Sequence, residues 1–160
     1  GFGSGNISAY MHPSGTLFIG GTDRGWGARG GKRFAIDRVT WKNKVPFEIH
    51  EMRAKPDGFE LTFTHEVDAK TASDLKSYSM SAYTYIYQSK YGSPVVDKLN
   101  PEILGAEVTG PKTVRVTVDK LTKGHVHELQ AKGVRSLDNK PILHPIGYYT
   151  LNEIPPAEVN

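Results

Sequence analysis

Residues Gly58 to Thr64 read GFELTFT, and this stretch decides the fold. Phe59, Leu61 and Phe63 alternate with polar residues. Because successive side chains of a β-strand point to opposite faces, the three apolar side chains share one face. Residues Thr113 to Asp119, TVRVTVD, alternate in the same way. We therefore expect two half-buried strands whose apolar faces contribute to the core.

Short apolar runs separated by turn residues recur along the rest of the chain. About seven such strands predict an all-β, Ig-like antiparallel β-sandwich over residues 44–160. The convincing helical turn is Asp68 to Leu75, and it is short. The other predicted strands of this region are Phe47 to Ala54, the tyrosine-containing segment, Ala106 to Thr109, Val126 to Ala131 and Ile146 to Leu151.

The first 43 residues predict a small β appendage. Ile7 to Met11 and Thr16 to Gly20 flank a turn composition and predict a hairpin. Gly20 to Lys32 contains six glycines and predicts an irregular loop. Arg33 to Trp41 is β-branched and aromatic and predicts a third strand.

The composition excludes several classes of protein. A chain of 160 residues, 38% of them hydrophobic, is long enough to bury a core. The absence of cysteine excludes disulfides, thiolate metal sites and a cysteine nucleophile. A formal net charge of +3 is too small to predict nucleic-acid binding. No apolar run approaches the roughly 20 residues that span a bilayer. The start, GFGSGNIS, is not a signal peptide, and we expect a processed product or a fragment.

A tyrosine-rich segment from Ser77 to Asp97 is the strongest candidate for a binding site. Tyr83, Tyr85 and Tyr87 alternate with smaller residues, so an extended strand would place three phenol rings on one surface, and Tyr91 follows before a turn. Such a row fits a polysaccharide, a neighbouring domain or a covered core face, and the sequence leaves all three open.

Polar residues next to the tyrosines favour the polysaccharide. The C–H faces of sugars stack on aromatic rings, and sugar hydroxyls need hydrogen-bonding partners. Gln88 is the predicted ligand-binding partner here, and Lys90, Ser93 and Asp97 are further candidates.

The glycine-rich loop is a second candidate site. It does not match a phosphate-binding loop, because Trp26 occupies the position of the first glycine. Arg24 and Trp26 are nevertheless predicted ligand contacts, since glycines expose backbone N–H groups to an anion or a sugar. A structural turn or a lost contact with another domain is the competing interpretation. No cofactor is predicted, although structural calcium in this loop or in the Asp-containing loops stays open.

Histidines and carboxylates give no catalytic or metal site. His125 and His127 share one face of a predicted strand, which suits a metal chelate, but Leu129 lies on that face too and favours a core position. No nucleophile motif or zinc motif is present, and no motif fixes the separation of a carboxylate pair. We therefore predict no catalytic residue, no metal ligand and no enzyme activity.

From Pro46 onward the chain resembles the bacterial Ig-like domains of secreted and surface proteins. The segments that carry this resemblance are FELTFTHEVDAKTASDLKSYSM and TVRVTVDKLTKGHVHELQAKGVRSLDNKPI. His127 stands where those domains usually have an aromatic residue.

The whole chain also resembles the C-terminal end of large secreted bacterial proteins. In these a sorbosone-dehydrogenase-like β-propeller precedes an Ig-like domain. The matching segments are GGTDRGWGARGGK, PFEIHEM, YTYIYQSKYGSPVVD, GHVHEL and YYTLNEIP. The resemblance implies that Gly15 to Trp41 is the last propeller blade or what remains of it. It also implies a secreted or periplasmic protein.

These observations predict a non-catalytic accessory module of a secreted carbohydrate-active or sugar-oxidising protein. The module would bind polysaccharide through the tyrosine row. The alternative is a structural Ig-like domain that docks on a neighbouring β-propeller and has no affinity for glycans.

Overall fold

The computed structural model describes residues 1–23 and 30–157. The chain divides into two compact units, Gly1–Lys44 and Val45–Asn160. The boundary expected from the sequence lies one residue earlier, after Asn43.

The first unit is a three-stranded antiparallel sheet. Its strands follow one another in space as they do in sequence: β1 (Asn6–Met11), β2 (Leu17–Thr22) and β3 (Phe34–Val39). The β1–β2 turn is closed by the His12 backbone N–H, which donates to the Thr16 carbonyl at 2.9 Å. Gly15 in this turn has a φ of 81°, which a glycine adopts without strain.

The two faces of this sheet differ in burial. On one face, Ile19 is buried, and the Gly3 N–H donates to the Asp37 carboxylate at 2.9 Å. On the other face, the strand register aligns four exposed side chains. We name this surface the apolar face; it comprises Tyr10, Phe18, Phe34 and Ile36.

The second unit is a β-sandwich of two four-stranded antiparallel sheets. One sheet has the order β4-β5-β9-β8 and the other the order β11-β10-β6-β7. The predicted all-β, antiparallel sandwich is therefore confirmed. Its strands are β4 (Ile49–Lys55), β5 (Gly58–Phe63), β6 (Ser79–Tyr85), β7 (Val95–Leu99), β8 (Ile103–Gly110), β9 (Thr113–Val118), β10 (His125–Gln130) and β11 (Ile146–Leu151).

The core forms where the alternating strands predicted it. Leu61 of β5 pairs with Val114 of β9, and Phe59 pairs with Val116, so the apolar sides of both strands meet on one face. All four side chains are completely buried. Each contributes about 1.5–3 kcal/mol through burial. The opposite sheet adds buried side chains from β6, β10 and β11, namely Met80, Leu129 and Leu151.

The β4–β5 hairpin packs tightly against β9 at Gly58. A Cβ atom at this position would lie 2.0 Å from the Val116 carbonyl oxygen. Only glycine allows the two backbones to approach so closely. The strand predicted from Phe47 begins later, at Ile49, because Phe47 instead stacks on Phe63 with a ring-centroid distance of 5.5 Å.

The predicted helical segment is split into two short turns. Helix α1 covers Ala69–Ala72, and the Asp68 carboxylate caps it by accepting from the Thr71 N–H at 2.9 Å. A 3₁₀ turn then covers Leu75–Ser77 and is capped in the same way by Asp74. Helix α1 does not continue into the 3₁₀ turn, because Asp74 begins a new helical start by accepting from a backbone N–H, as Asp68 does for α1.

Candidate ligand-binding face

Strand β6 places two of the predicted tyrosines on the solvent side of its sheet. Met80 and Ala82 point into the core, so Tyr83 and Tyr85 point outward. The strand ends at Tyr85, because beyond this residue the Ile86 N–H donates to the Ser93 hydroxyl at 2.7 Å instead of to a neighbouring strand. The prediction of one continuous tyrosine strand is therefore wrong at its end.

The rings of Tyr83 and Tyr85 pack edge to face. Their centroids lie 5.8 Å apart and their planes are inclined by 86°. This is a favoured arrangement of aromatic pairs, but it is not a flat platform. The expected planar row of three rings is thus replaced by a perpendicular pair on the strand.

Tyr87 and Tyr91 lie on the loop between β6 and β7, and both are fully exposed. Gln88 helps to close this loop, because its amide Nε2 donates to the Gly92 carbonyl at 2.8 Å. Gly92 has a φ of 76°, which permits the turn. The loop therefore exposes two tyrosines to solvent. The side-chain amide of Gln88 uses one of its N–H groups within the loop.

The strand register brings two residues that the sequence did not assign next to the tyrosine pair. On β10, Val126 pairs with Tyr83, and Glu128 pairs with Tyr148 of β11. Paired residues point to the same side of a sheet, and Tyr148 is 60% exposed. In the sequence, only the alternation of residue types in HVHELQ and IGYYTL indicates that Glu128 and Tyr148 point outward. We name the outward side of this sheet the tyrosine face. Its residues include Ser79, Ser81, Tyr83, Tyr85, Val95, Lys98, Val126, Glu128, Gln130, Ile146, Tyr148 and Thr150.

The tyrosine face contains an open depression of about 410 Å³ between β7, β6 and β10. The loss of hydration raises the pKa of the Tyr83 hydroxyl, and Tyr85, Glu128 and Tyr148 raise it further. Tyr83 therefore stays a neutral hydrogen-bond donor at neutral pH. The depression is lined by Ser81, Ala82, Tyr83, Val95, Lys98, Asn100 and Glu128.

The glycine-rich loop is the second candidate site predicted from the sequence. Arg24 and Trp26, both predicted to contact a ligand, lie outside the described residues. Within residues 1–23 and 30–157, no group of three or more His, Cys, Asp or Glu side chains could hold a metal ion. Structural calcium stays a prediction.

The His-x-His pair points inward, as its shared face with Leu129 predicted. The His125 ring lies 2.9 Å from the Asp97 carboxylate. His127 is fully buried beside Phe59, with a ring-centroid distance of 5.4 Å. Its Nδ1 atom has no hydrogen-bond partner among the described residues. Burial lowers the pKa of His127, and the His125 backbone only partly offsets this effect.

Four carboxylates considered as acid and base have partners within the fold. Asp68 and Asp74 cap the two helical turns. Glu51 binds Arg53 at 2.8 Å. Glu48 accepts from the His144 backbone N–H at 2.9 Å and lies 2.6 Å from the Nδ1 atom of the same residue.

The comparisons with known proteins concern the fold. No protein-family model and no curated protein matches the chain. The crystal structure of the N-terminal part of the bacterial S-layer protein SbsC matches with a TM-score of 0.51 and 19% identity, over 68% of this chain and 24% of that chain. The S-layer protein rSbsC(31-844) and domains 1–6 of SbsC match with TM-scores of 0.51 and 0.52, each at 21% identity over 71% of this chain and 14% of the other.

The chain thus spans a quarter or less of the length of these surface-layer chains. Identities of this size establish similarity of fold alone. In the described part of the chain, no helix has the length and hydrophobicity needed to cross a membrane.

Proposed function

We propose that this chain is a non-catalytic module of a secreted or periplasmic bacterial protein and that it binds polysaccharide through the tyrosine face. The observation that carries the proposal is the open depression in which the Tyr83 ring lies between charged and polar side chains, including Lys98 and Glu128. An aromatic surface bordered by hydrogen-bonding groups matches the two surfaces of a sugar, its C–H face and its hydroxyls.

The perpendicular packing of Tyr83 and Tyr85 supports this use. Each ring restricts the movement of the other, so less conformational entropy is lost when a ligand stacks on the pair. Half of the Tyr85 surface is still exposed. The fully exposed Tyr87 and Tyr91 offer additional contacts from the loop. A ring with a polar tip suits such a wet interface.

Two further observations support a non-catalytic, extracellular role. Asp68 and Asp74 cap helical turns, and Glu48 and Glu51 are paired with His144 and Arg53, which supports a non-catalytic role for these carboxylates. The solved structures of similar fold belong to surface-layer proteins, which supports an extracellular location for this chain.

A panel of insoluble and soluble polysaccharides tests the proposal. We expect the purified chain to be retained by at least one of cellulose, xylan, mannan, β-glucan, chitin and pectin. The double variant Tyr83→Ala, Tyr85→Ala is expected to stay folded by circular dichroism and to lose retention. Tyr10→Ala is the control, since Tyr10 is also an exposed strand tyrosine but belongs to the first unit. Undiminished retention of the folded double variant would contradict the assignment.

A second candidate function is favoured by the apolar face of the first unit. Phe34 and Ile36 are 78% and 82% exposed, and they lie on the same side as Tyr10 and Phe18. Exposed apolar side chains that share one face of a sheet are typical of a docking site. In this case the chain is a structural domain that docks on a β-propeller of its parent protein and has no affinity for glycans.

The docking function is tested by supplying the propeller of the parent protein in trans. We expect association measurable by calorimetry, which Ile36→Lys abolishes because the lysine charge would be buried in the interface. Tyr85→Ala is the control and should leave this association unchanged. Retention on a polysaccharide together with no association would favour the first proposal.

A further inference from the structure

Building on the proposed function, we infer that the ligand is an uncharged linear polysaccharide that lies across the strands and that Glu128 and Tyr148 bind it together with Tyr83. These three residues lie on three adjacent strands, in the spatial order β6, β10, β11. Neighbouring strands are about 4.7–4.9 Å apart. The face therefore presents an aromatic ring, a carboxylate and a second aromatic ring at successive strand spacings, across which a chain of about three sugars extends.

The register fixes this order. Glu128 is paired with Tyr148 on one side and with Ser81 on the other, while Tyr83 is paired with the preceding outward residue of β10, Val126. Both Glu128 and Tyr148 contribute to the raised pKa of Tyr83, so the three polar groups act on one another. The ligand path therefore runs obliquely over β10 and meets the carboxylate between the two rings.

The carboxylate is held in position for a ligand. Gln130 donates its amide Nε2 to the Oε1 atom of Glu128 at 2.9 Å. The second oxygen atom of Glu128 is then available to accept hydrogen bonds from sugar hydroxyls. Hydrogen bonds to a charged acceptor are roughly twice as strong as neutral ones, so Glu128 can provide a strong polar contact to a ligand.

The same carboxylate determines the charge of the ligand. A uronic-acid polymer would bring its own carboxylates close to Glu128, and like charges in a partly desolvated site repel. Lys98 lies at the far side of the depression, toward β7, and would meet one end of the bound segment. An uncharged chain is therefore preferred.

The exposure of the face determines which part of the polysaccharide binds. Tyr148, at the β11 end of the path, is 60% exposed, and the depression beside Tyr83, at the β6 end, is open to solvent. Both ends of the path are thus open to solvent. The site is expected to accept an internal segment of a long chain and to have no requirement for a chain end.

Titration of oligosaccharides of one to six sugars tests this inference. The probes are xylo-, cello- and manno-oligosaccharides, with oligogalacturonides as the charged comparator, and binding is followed by calorimetry and by amide chemical shifts. We expect the affinity for one of the uncharged series to rise up to three or four sugars and then to level off. Reduction of the terminal sugar should leave the affinity unchanged, and the oligogalacturonides should bind more weakly.

Two variants test the assigned residues. Tyr148→Ala is expected to lower the affinity for the longer oligosaccharides about fivefold, because a stacked ring contributes about 0.5–1.5 kcal/mol. Glu128→Gln keeps the shape of the side chain but loses the charge, and it should lower the affinity roughly tenfold. It should also reduce the discrimination against oligogalacturonides. Tyr10→Ala is again the matched control and should bind like the parent protein.

The outcomes separate this inference from the proposed function. Binding of a polysaccharide with unchanged affinity in both variants, or with preference for oligogalacturonides, would overturn the inference and leave the polysaccharide-binding function standing. Retention on none of the polysaccharides by the parent protein would overturn both. Chain-length dependence together with the two expected losses would support the inference.

Discussion

The two units of this chain use their apolar residues in opposite ways. In the second unit the apolar side chains of β5 and β9 are buried between two sheets. In the first unit, Ile19 is the one buried hydrophobic side chain among residues 1–23 and 30–44, whereas Phe34 and Ile36 of the apolar face are largely exposed. The same β-branched and aromatic composition therefore produces a core in one unit and a surface in the other.

The difference shows that strand-forming sequence and core-forming sequence are not the same property. A sandwich provides each sheet with a second sheet to pack against, so apolar faces are buried within one unit. A single three-stranded sheet has two faces and cannot cover both with its own residues. Substitutions at equivalent-looking positions should accordingly have very different effects in the two units.

The largest effect is expected for Phe63→Asp in the sandwich core. Phe63 is buried against Phe47, and an aspartate there would be an unpaired charge in an apolar environment. We expect the free energy of unfolding to fall by more than about 4 kcal/mol, so that the second unit no longer folds. Loss of the amide chemical-shift dispersion of residues 45–160 would show this. A cooperative, native-like unfolding transition in this variant would contradict the comparison.

A smaller loss is expected for Gly58→Ala, which tests backbone packing in the same core. The added methyl group would collide with the Val116 carbonyl, so β5 and β9 must separate. We expect a destabilisation of about 1–3 kcal/mol, measured from the urea midpoint. Gly105→Ala is the matched control, because a Cβ there meets Thr117 at an ordinary 3.6 Å.

Replacement of His127 by phenylalanine should change the pH dependence of stability. The lowered pKa of His127 keeps it neutral in the folded state, whereas the unfolded chain takes up a proton as the pH falls below the ordinary value of 6.5. The unfolded state then binds more protons, so stability decreases toward acid pH. Phenylalanine removes this loss and the unpaired Nδ1 atom, and it gives up only a long hydrogen bond of 3.4 Å, which the Thr122 N–H donates to the Nε2 atom of His127.

We therefore expect His127→Phe to be more stable than the parent protein by about 1 kcal/mol at pH 5.5 and by less at pH 7.5. Urea unfolding at the two pH values checks this. The other histidines are present in both proteins, so the difference between the two pH profiles reports His127. Parallel profiles would show that the pKa of His127 is the same in the folded and unfolded states, and would contradict this prediction.

The smallest effect on stability is expected for Phe34→Asp in the first unit. Phe34 is 78% exposed, so the aspartate would be hydrated, and the free energy of unfolding should change by no more than about 0.5 kcal/mol. Paired with Phe63→Asp, this variant makes the same chemical change at an exposed and at a buried strand position. A loss comparable to that of Phe63→Asp would mean that the apolar face contributes to a core.

The fold could be predicted largely because its strands alternate. The patterns around Leu61, Val116 and Leu129 are sufficient to identify the core, and all three side chains are fully buried. Strand β7 escaped prediction because it is short and interrupted. Asp97 within it has a φ of 50°, and the register with β6 shifts nearby. The predicted helical segment is split because Asp68 and Asp74 each cap a separate short turn, and the sequence pattern does not show which of the two caps begins the helix.

The candidate site was predictable only in part. Tyr83 and Tyr85 point outward as the alternation indicated, but their perpendicular packing depends on side-chain torsions that no pattern encodes. Glu128 and Tyr148 join them because β10 pairs with both β6 and β11. Pairing between strands that are distant in sequence is set by the tertiary fold, so a single sequence does not reveal which outward residues become neighbours.

The division into two units also distributes the chromophores of the chain unevenly. Both tryptophans, Trp26 and Trp41, precede residue 45, and all tyrosines except Tyr10 follow it. Tryptophan emission, excited at wavelengths that tyrosine does not absorb, therefore comes from residues 1–44. Tyrosine absorption comes mainly from the sandwich. The two units thus carry different chromophores in the unmodified protein, so tryptophan emission and tyrosine absorption should be recorded together to follow the denaturation of both.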